Sequence, residues 1–221
     1  PVNGRGSVKN FDLVAQILRE NMLDRLMVAS LRTLAFLVQI LPLEVGLLIA
    51  RVLSFFVYSF NDRSQLAYAN LKAAFGTRFS SKERKRITRK HISNLLQNAV
   101  EVLRFPKMNR EYMDHYIRFE HLDRYHEAIR SSQGTILVTP HFGNWELTQI
   151  FSALFGAPLH VLAREQKHSL LDDFLNELRS SRGTITIHTG GGVRELIRTL
   201  REGGATGVLG DLSGGRVGKV I

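Results

Sequence analysis

The stretch Thr135-Ile136-Leu137-Val138-Thr139-Pro140-His141-Phe142-Gly143-Asn144-Trp145-Glu146 decides how this chain is read. Thr135 to Val138 is a short apolar run that reads as a buried strand. Beyond it, Leu147, Ile150, Phe151 and Leu154 recur at helical spacing. A histidine therefore sits at a strand-to-helix turn, with a carboxylate five residues later. In α/β proteins, ligands and chemistry gather at the carboxyl ends of strands. Positions five apart on a continuous helix are rotated by about 140° and do not face each other. His141 and Glu146 meet only if His141 precedes the helix and Glu146 points back from its first turns. Pro140 favours this by biasing Thr139 to extended geometry. Gly143 permits a tight turn or a close backbone approach to a ligand. In such a pair the carboxylate fixes the imidazole tautomer and stabilises the imidazolium formed on proton uptake.

The same alternation continues downstream. Leu159–Ala163, Thr184–His188 and Ala205–Leu209 read as strands. Asn144–Phe155, Leu170–Ser180 and Val193–Arg201 read as the helices between them. Strands alternating with helices imply parallel pairing with right-handed crossovers. The expected fold class is α/β: a mostly parallel sheet with crossover helices, preceded by an α-helical region.

Residues 26–60 are strongly apolar, interrupted by Arg32, Glu44 and Arg51. The longest uncharged run, Thr33 to Leu43, has eleven residues, whereas a transmembrane helix needs about 20. No clean span is expected, and no signal-peptide pattern is visible. Pro42 is expected to separate two helices. They read as a membrane-embedded or interfacial hairpin, or as a buried hairpin of a soluble core. Ser80 and Glu83 form a capping-box pattern. It opens a long helix marked by Ile92, Leu95, Leu96, Ala99, Val102 and Leu103 and ended by Pro106. The first turns of that helix carry Lys82, Arg84, Lys85, Arg86, Arg89 and Lys90. Cations there oppose the helix dipole, so a surface for anionic lipid is a natural use, at about 1 kcal/mol per basic residue. The organisation expected is 1–60 as apolar membrane-associated helices and 61–221 as a catalytic domain. Within the latter, 61–130 is a helical lead-in and 131–221 an α/β core.

The chain of 221 residues carries a net charge of +10 and no cysteine. Disulfides, thiolate nucleophiles and cysteine-ligated metals are excluded. Residues 1–110 hold 18 basic and 7 acidic side chains, while 111–221 hold 12 and 13. All the excess positive charge lies in the N-terminal half, which suits an acidic partner: anionic lipid, an acidic carrier protein or nucleic acid.

His141-Phe142-Gly143-Asn144-Trp145-Glu146, a His and an acid separated by four residues, resembles the signature of the bacterial lipid A biosynthesis acyltransferases, within the lysophospholipid acyltransferase superfamily. Leu162-Ala163-Arg164, Leu171 and Arg182-Gly183 are similar to the family's second block. Leu196-Ile197-Arg198, Leu200, Gly203-Gly204 and Val208-Leu209-Gly210-Asp211 are similar to its third. Leu41-Pro42 and Ala69-Asn70-Leu71 also fit, so the likeness runs from about Arg25 to Ile221. There are two departures. Leu212 stands where the family has Gln, and the chain stops at Val220-Ile221, where the family continues with further elements. A C-terminally truncated, incomplete α/β core is therefore expected.

The resemblance implies an O-acyltransferase with His141 and Glu146 as its catalytic dyad. The donor would be an acyl thioester of acyl carrier protein or coenzyme A, as co-substrate and not as cofactor. The acceptor would be a lipid A precursor hydroxyl, and the site of action the cytoplasmic face of the cell inner membrane. No metal and no nucleic-acid partner are expected. Arg164, Asn144, Gly143, Asp211 and Arg182 are the candidate substrate-binding or oxyanion residues. Arg164 follows the second strand and on sheet-end logic faces the crevice of His141; otherwise it forms a surface salt bridge with Glu165 or Asp172. Asp211 ends the fourth strand at the same edge, there to hold Arg164 or an acceptor hydroxyl. Gly143 and Asn144 offer backbone N–H groups, and Arg182 a substrate contact. A phospholipid or phosphatidylinositol mannoside acceptor is the alternative within this chemistry. A non-catalytic basic membrane or nucleic-acid module is the alternative outside it. Gly190-Gly191-Gly192 lacks the spacing of a dinucleotide loop. The phosphate-loop-like Ser213 to Val220 stretch lacks its first Gly and its Ser/Thr. The histidines show no metal-ligand spacing.

Overall fold

The structure is a computed structural model that describes residues 5–60, 62–131, 133–166, 168–188 and 192–211, with side chains from 22 onward. Gly190, Gly191, Leu212 and the stretch Ser213 to Val220 lie outside the described residues.

Helices come first. α1 (Arg5–Ile40) and α2 (Leu43–Phe60) are separated at Pro42, as the missing amide of proline requires. α3 (Asp62–Phe75) leads to α4 (Ser81–Leu103). Ser80 caps α4 in both directions: its hydroxyl accepts from the Glu83 amide and the Glu83 carboxylate accepts from the Ser80 amide. Pro106 stops the chain in a short 3-10 turn, Phe105–Lys107. α5 (Arg110–Tyr116) and α6 (Leu122–Arg130) complete the lead-in.

From Thr135 the chain alternates: β1 (Thr135–Thr139), α7 (Leu147–Leu154), β2 (Leu159–Ala163), α8 (Ser169–Ser180), β3 (Ile185–His188), α9 (Gly192–Arg201) and β4 (Ala205–Leu209). All pairs are parallel, in the order β1-β4-β2-β3. Handedness then fixes the layers. β1 to β2 and β2 to β3 move across the sheet in one direction, so right-handed crossovers place α7 and α8 on one face. β3 to β4 moves back, so α9 lies on the other. Gly192 shows the closeness of that second contact: a Cβ there would stand 2.5 Å from Leu162 Cδ2 and 2.8 Å from Ile187 Cγ2.

The largest core lies between the lead-in helices and the α7/α8 face. Phe105, Met113 and Ile150 are fully buried there with Phe155, Phe174 and Leu178. Each large apolar side chain buried in this way contributes about 1.5–3 kcal/mol. Phe119, Phe151 and Phe155 stack with centroids 4.7 to 5.1 Å apart. Val28 and Ala35 of α1 belong to the same cluster, and Arg32 pairs with Glu177 of α8 at 2.7 Å. Buried Arg104 donates to the carbonyls of Val38 and Leu41. A cation therefore caps the C-terminal end of α1 where Pro42 interrupts it. The apolar helix α1 thus shares the core of the α/β part.

The sequence reading is corrected at two points. α2 is 18 residues long and, by length and composition, apolar enough to cross a membrane, despite Glu44 and Arg51. Only 22% of it is buried. Val45, Leu48, Val52, Leu53, Phe55 and Phe56 are exposed on α2, and Leu34, Phe36 and Ile40 on α1. Second, α7 begins at Leu147 rather than Asn144, because residues 141–146 remain an irregular turn.

Gly134 controls entry into β1. Its φ is +77°, and a Cβ would lie 2.3 Å from the Leu200 carbonyl oxygen of α9. Both left-handed geometry and a backbone clash oppose a side chain. Gly134→Ala is expected to lower stability by about 1–3 kcal/mol, read as a fall in melting temperature by circular dichroism. An unchanged melting temperature would show that β1 and α9 are not held this closely.

Candidate active site

Parallel register builds the site. Thr139 pairs with Leu209, so two residues further along each strand His141 stands opposite Asp211. The Gly210 amide donates to the Thr139 carbonyl at 3.2 Å, which carries the ladder past the strand ends. The Asp211 carboxylate then grips His141 twice. Oδ2 accepts from the His141 amide at 2.9 Å, and Oδ1 lies 2.7 Å from Nδ1. With Asp211 ionised, Nδ1 carries the proton and donates, leaving Nε2 as the free nitrogen. The hydrogen bonds from His141 hold the Asp211 carboxyl below its ordinary value. Trp145 packs edge-on against the imidazole at 5.0 Å.

Glu146, expected to orient His141, does something else. Arg179 of α8 forks onto it, Nε to Oε2 at 3.0 Å and a terminal nitrogen to Oε1 at 2.8 Å, and Gln149 donates to Oε2. The two charged side chains are 17% and 19% exposed, so the pair is largely dry. The reason is the turn: with α7 starting only at Leu147, Glu146 faces α8 while His141 faces β4. Both nonetheless line one cavity of about 410 Å³ between the sheet and the α7/α8 layer. Its floor is apolar, with Leu137, Leu159, Val161, Gly207 and Leu209. Its walls add Trp145, Gln149 and Arg179.

The other sequence candidates separate. Arg164 lines the cavity at the end of β2 and is exposed. Its guanidinium has no ion pair among the described residues: Asp172 takes the Gln166 amide, and Glu165 lies 3.8 Å from His188. Asp211 holds His141, not Arg164. Gly143 (φ +60°) and Asn144 are in the turn but do not line the cavity, and their amides meet no described acceptor. Arg182 is remote from it, donating to the carbonyls of Phe105 and Pro106. It is a structural tie where a substrate contact was expected, because Gly183 (φ +98°) closes the end of α8 against the lead-in. No cluster of three or more His, Cys, Asp or Glu side chains able to hold a metal occurs among the described residues.

Three contributors were missed in sequence. Arg179 of α8 is 33 residues from Glu146 and reaches it only through the packing of the fold. Asn98 and Glu101 of α4 reach the turn from the lead-in: Asn98 Nδ2 donates to the Gly143 carbonyl at 2.8 Å, and Asn144 Nδ2 donates to Glu101 Oε2 at 2.7 Å. Asn98 and Glu101 belong to a polar face of α4 with His91, Asn94 and Gln97, and nothing in their spacing sets them apart from a solvated face.

The model of the family described as bacterial lipid A biosynthesis acyltransferase matches residues 12–220. No curated protein matches the chain.

Burial raises the Glu101 carboxyl above its ordinary value, and the hydrogen bond from Asn144 offsets this only in part. A group raised on folding stabilises the native state below its unfolded value, and that contribution is lost as pH rises through the folded value. Glu101→Gln removes the dependence. The melting temperature of the variant relative to wild type is expected to be higher at about pH 8 than at about pH 4. An equal difference at both would show that Glu101 ionises as freely folded as unfolded.

Proposed function

The chain belongs to the bacterial lipid A biosynthesis acyltransferase family and is accordingly an acyltransferase, and we propose that it moves a fatty acyl group from an acyl carrier protein or coenzyme A thioester to a hydroxyl of a lipid A precursor, with His141 as the base. The observation that carries this reading is the double grip of Asp211 on His141, which leaves Nε2 free on a ring lining an apolar cavity. That is the arrangement a general base needs: fixed tautomer, fixed ring, one open nitrogen.

In the proposed reaction the acceptor oxygen attacks the thioester carbonyl carbon while Nε2 takes its proton. Asp211 stabilises the resulting imidazolium. The tetrahedral oxyanion collapses, the C–S bond breaks, and the leaving thiolate takes the proton back from His141 as the ester is released. Arg164, without a described counterion at the cavity edge, is suited to a phosphate of the substrate or to the oxyanion. The amides of Gly143 and Asn144 are further donors in the turn. The apolar floor suits the acyl chain. Glu146 serves here through Arg179, pinning the turn to α8.

Membrane association at the cytoplasmic face of the inner membrane is part of the proposal. It is supported by the exposed apolar faces of α1 and α2 and by the basic first turns of α4. Arg84 and Arg89 there stack on Tyr68 and Tyr58 at 5.4 and 5.0 Å. The same basic surface suits an acidic carrier protein.

The test is the lipid A mass spectrum of a bacterium lacking a late acyltransferase and expressing this protein. One added acyl mass is expected with wild type and none with His141→Ala. Asp211→Asn is expected to lower the rate about 10²–10⁴-fold by freeing the ring and its tautomer. Transfer by His141→Ala at the wild-type rate would end the base assignment. No added acyl mass with the expressed wild type would move the acceptor to a phospholipid or mannolipid.

A further inference from the structure

Residues 141–146 do not determine their own shape. The turn has few local backbone hydrogen bonds: Phe142 N–H to Pro140 O at 2.7 Å, and Leu147 N–H to Asn144 O and Thr148 N–H to Trp145 O at 3.1 Å. Gly143 sits at φ +60° with nothing within 4 Å of where a Cβ would be. Phe142 is 83% exposed. The ends are anchored, His141 by Asp211 and Glu146 by Arg179. The middle is anchored by α4 alone among the described contacts.

We propose that Asn98 and Glu101 are positioning residues of the acyl-transfer centre, clamping the middle of the turn to α4 and so fixing where His141 stands over the cavity. The inference rests on the reading of His141 as the base. The two residues are three apart and share one face of the helix. Their bonds run in opposite directions, Asn98 donating to the Gly143 carbonyl and Glu101 accepting from the Asn144 side chain. Opposed bonds on adjacent residues fix both position and rotation of the turn, which a single bond does not. The Asn144 amide also approaches the Asn98 carbonyl at 3.5 Å.

Glu101 gives the second line of argument. It is half-buried, and its one described hydrogen-bond partner is a neutral amide rather than a cation. A carboxylate in such a place costs stability relative to a well-packed apolar side chain. A helix built only to pack would carry Leu or Ala there. The clamp also has a firm base. α4 is capped by Ser80 and Glu83. α2 lies against it so closely that a Cβ on Gly46 would meet Val100 Cγ1 at 3.2 Å. Arg51 of α2 donates to Gln97 at 3.0 Å, and Gln39 of α1 to the Leu103 carbonyl at 2.8 Å.

Steady-state kinetics on the intact protein separate positioning from packing. The acceptor is lipid A purified from the acyltransferase-deficient strain, and the donor is whichever thioester the wild type turns over. Glu101→Ala is expected to lower kcat about 10–100-fold, as a displacement of roughly 1 Å at a reacting group does, with the acceptor KM changed less than about threefold. Glu101→Gln, whose amide oxygen still accepts from Asn144, is expected to restore kcat to within about threefold. The double variant Glu101→Ala/Asn144→Ala is expected to lose no more than the worse single variant, since both remove one bond. An unchanged kcat in Glu101→Ala with a lowered melting temperature would overturn the proposal and leave Glu101 as packing. Failure of Glu101→Gln to rescue, with additive losses in the double variant, would overturn it in favour of an effect of charge. Retained kcat in His141→Ala in the same assay would instead remove the base reading beneath it.

Discussion

One hydrogen-bonded carboxylate organises this molecule's chemistry. Asp211 reaches His141 only because β4 lies beside β1, although the two residues are 70 positions apart in the chain. Shift the register by one residue and Asp211 would face the other side of the sheet. The strand pairing therefore acts as the ruler that sets a reaction geometry. The fold's layering then supplies the rest: α7 and α8 roof the same cavity because both crossovers run the same way.

The turn that bears His141 is held from three directions by three elements distant in sequence: β4, α8 and α4. Each uses a polar side chain; the contacts of Arg179 and Glu101 are part-buried, that of Asp211 exposed. This is how a short irregular segment keeps one conformation without much internal bonding. It also ties the apolar N-terminal helices to the half of the molecule that holds the cavity. α4 meets the apolar α2 along much of its length and presents its basic first turns at one end and the clamp at the other.

Much of the architecture was legible in the sequence. Strand and helix alternation after Thr135 is a period effect, and the bounds of β2 and β4 were read to the residue. The Ser80–Glu83 cap and the break at Pro42 are local chemistry and were equally visible. The length and apolar composition of α2 were hidden by counting Glu44 and Arg51 as interruptions, although one sits in the first turn and the other bonds Gln97. The residues around His141 were legible as a set but not as a network. Spacing offered Glu146 as the partner, since it is near in sequence. Asp211 won because β4 is inserted next to β1, a fact of strand order that no local pattern carries. Arg182 shows the converse: a matching position in the sequence became a tie to backbone carbonyls once the end of α8 met the 3-10 turn.

The strand order has a further consequence for how the chain comes into being. β1 and β2 are neighbours in sequence but not in space; the gap between them is filled by β4, which follows both in the chain. While the ribosome is still synthesising residues 140–200, neither β1 nor its edge hydrogen bonds have a partner, and two parallel strand faces wait open. Sheet closure is thus a late, non-local event that follows emergence of residues 205–209. His141 acquires its carboxylate in that same event. A chain that has not yet added residues 205–211 already has its apolar α1 and α2 but not the Asp211–His141 bond, so its apolar surface precedes its site.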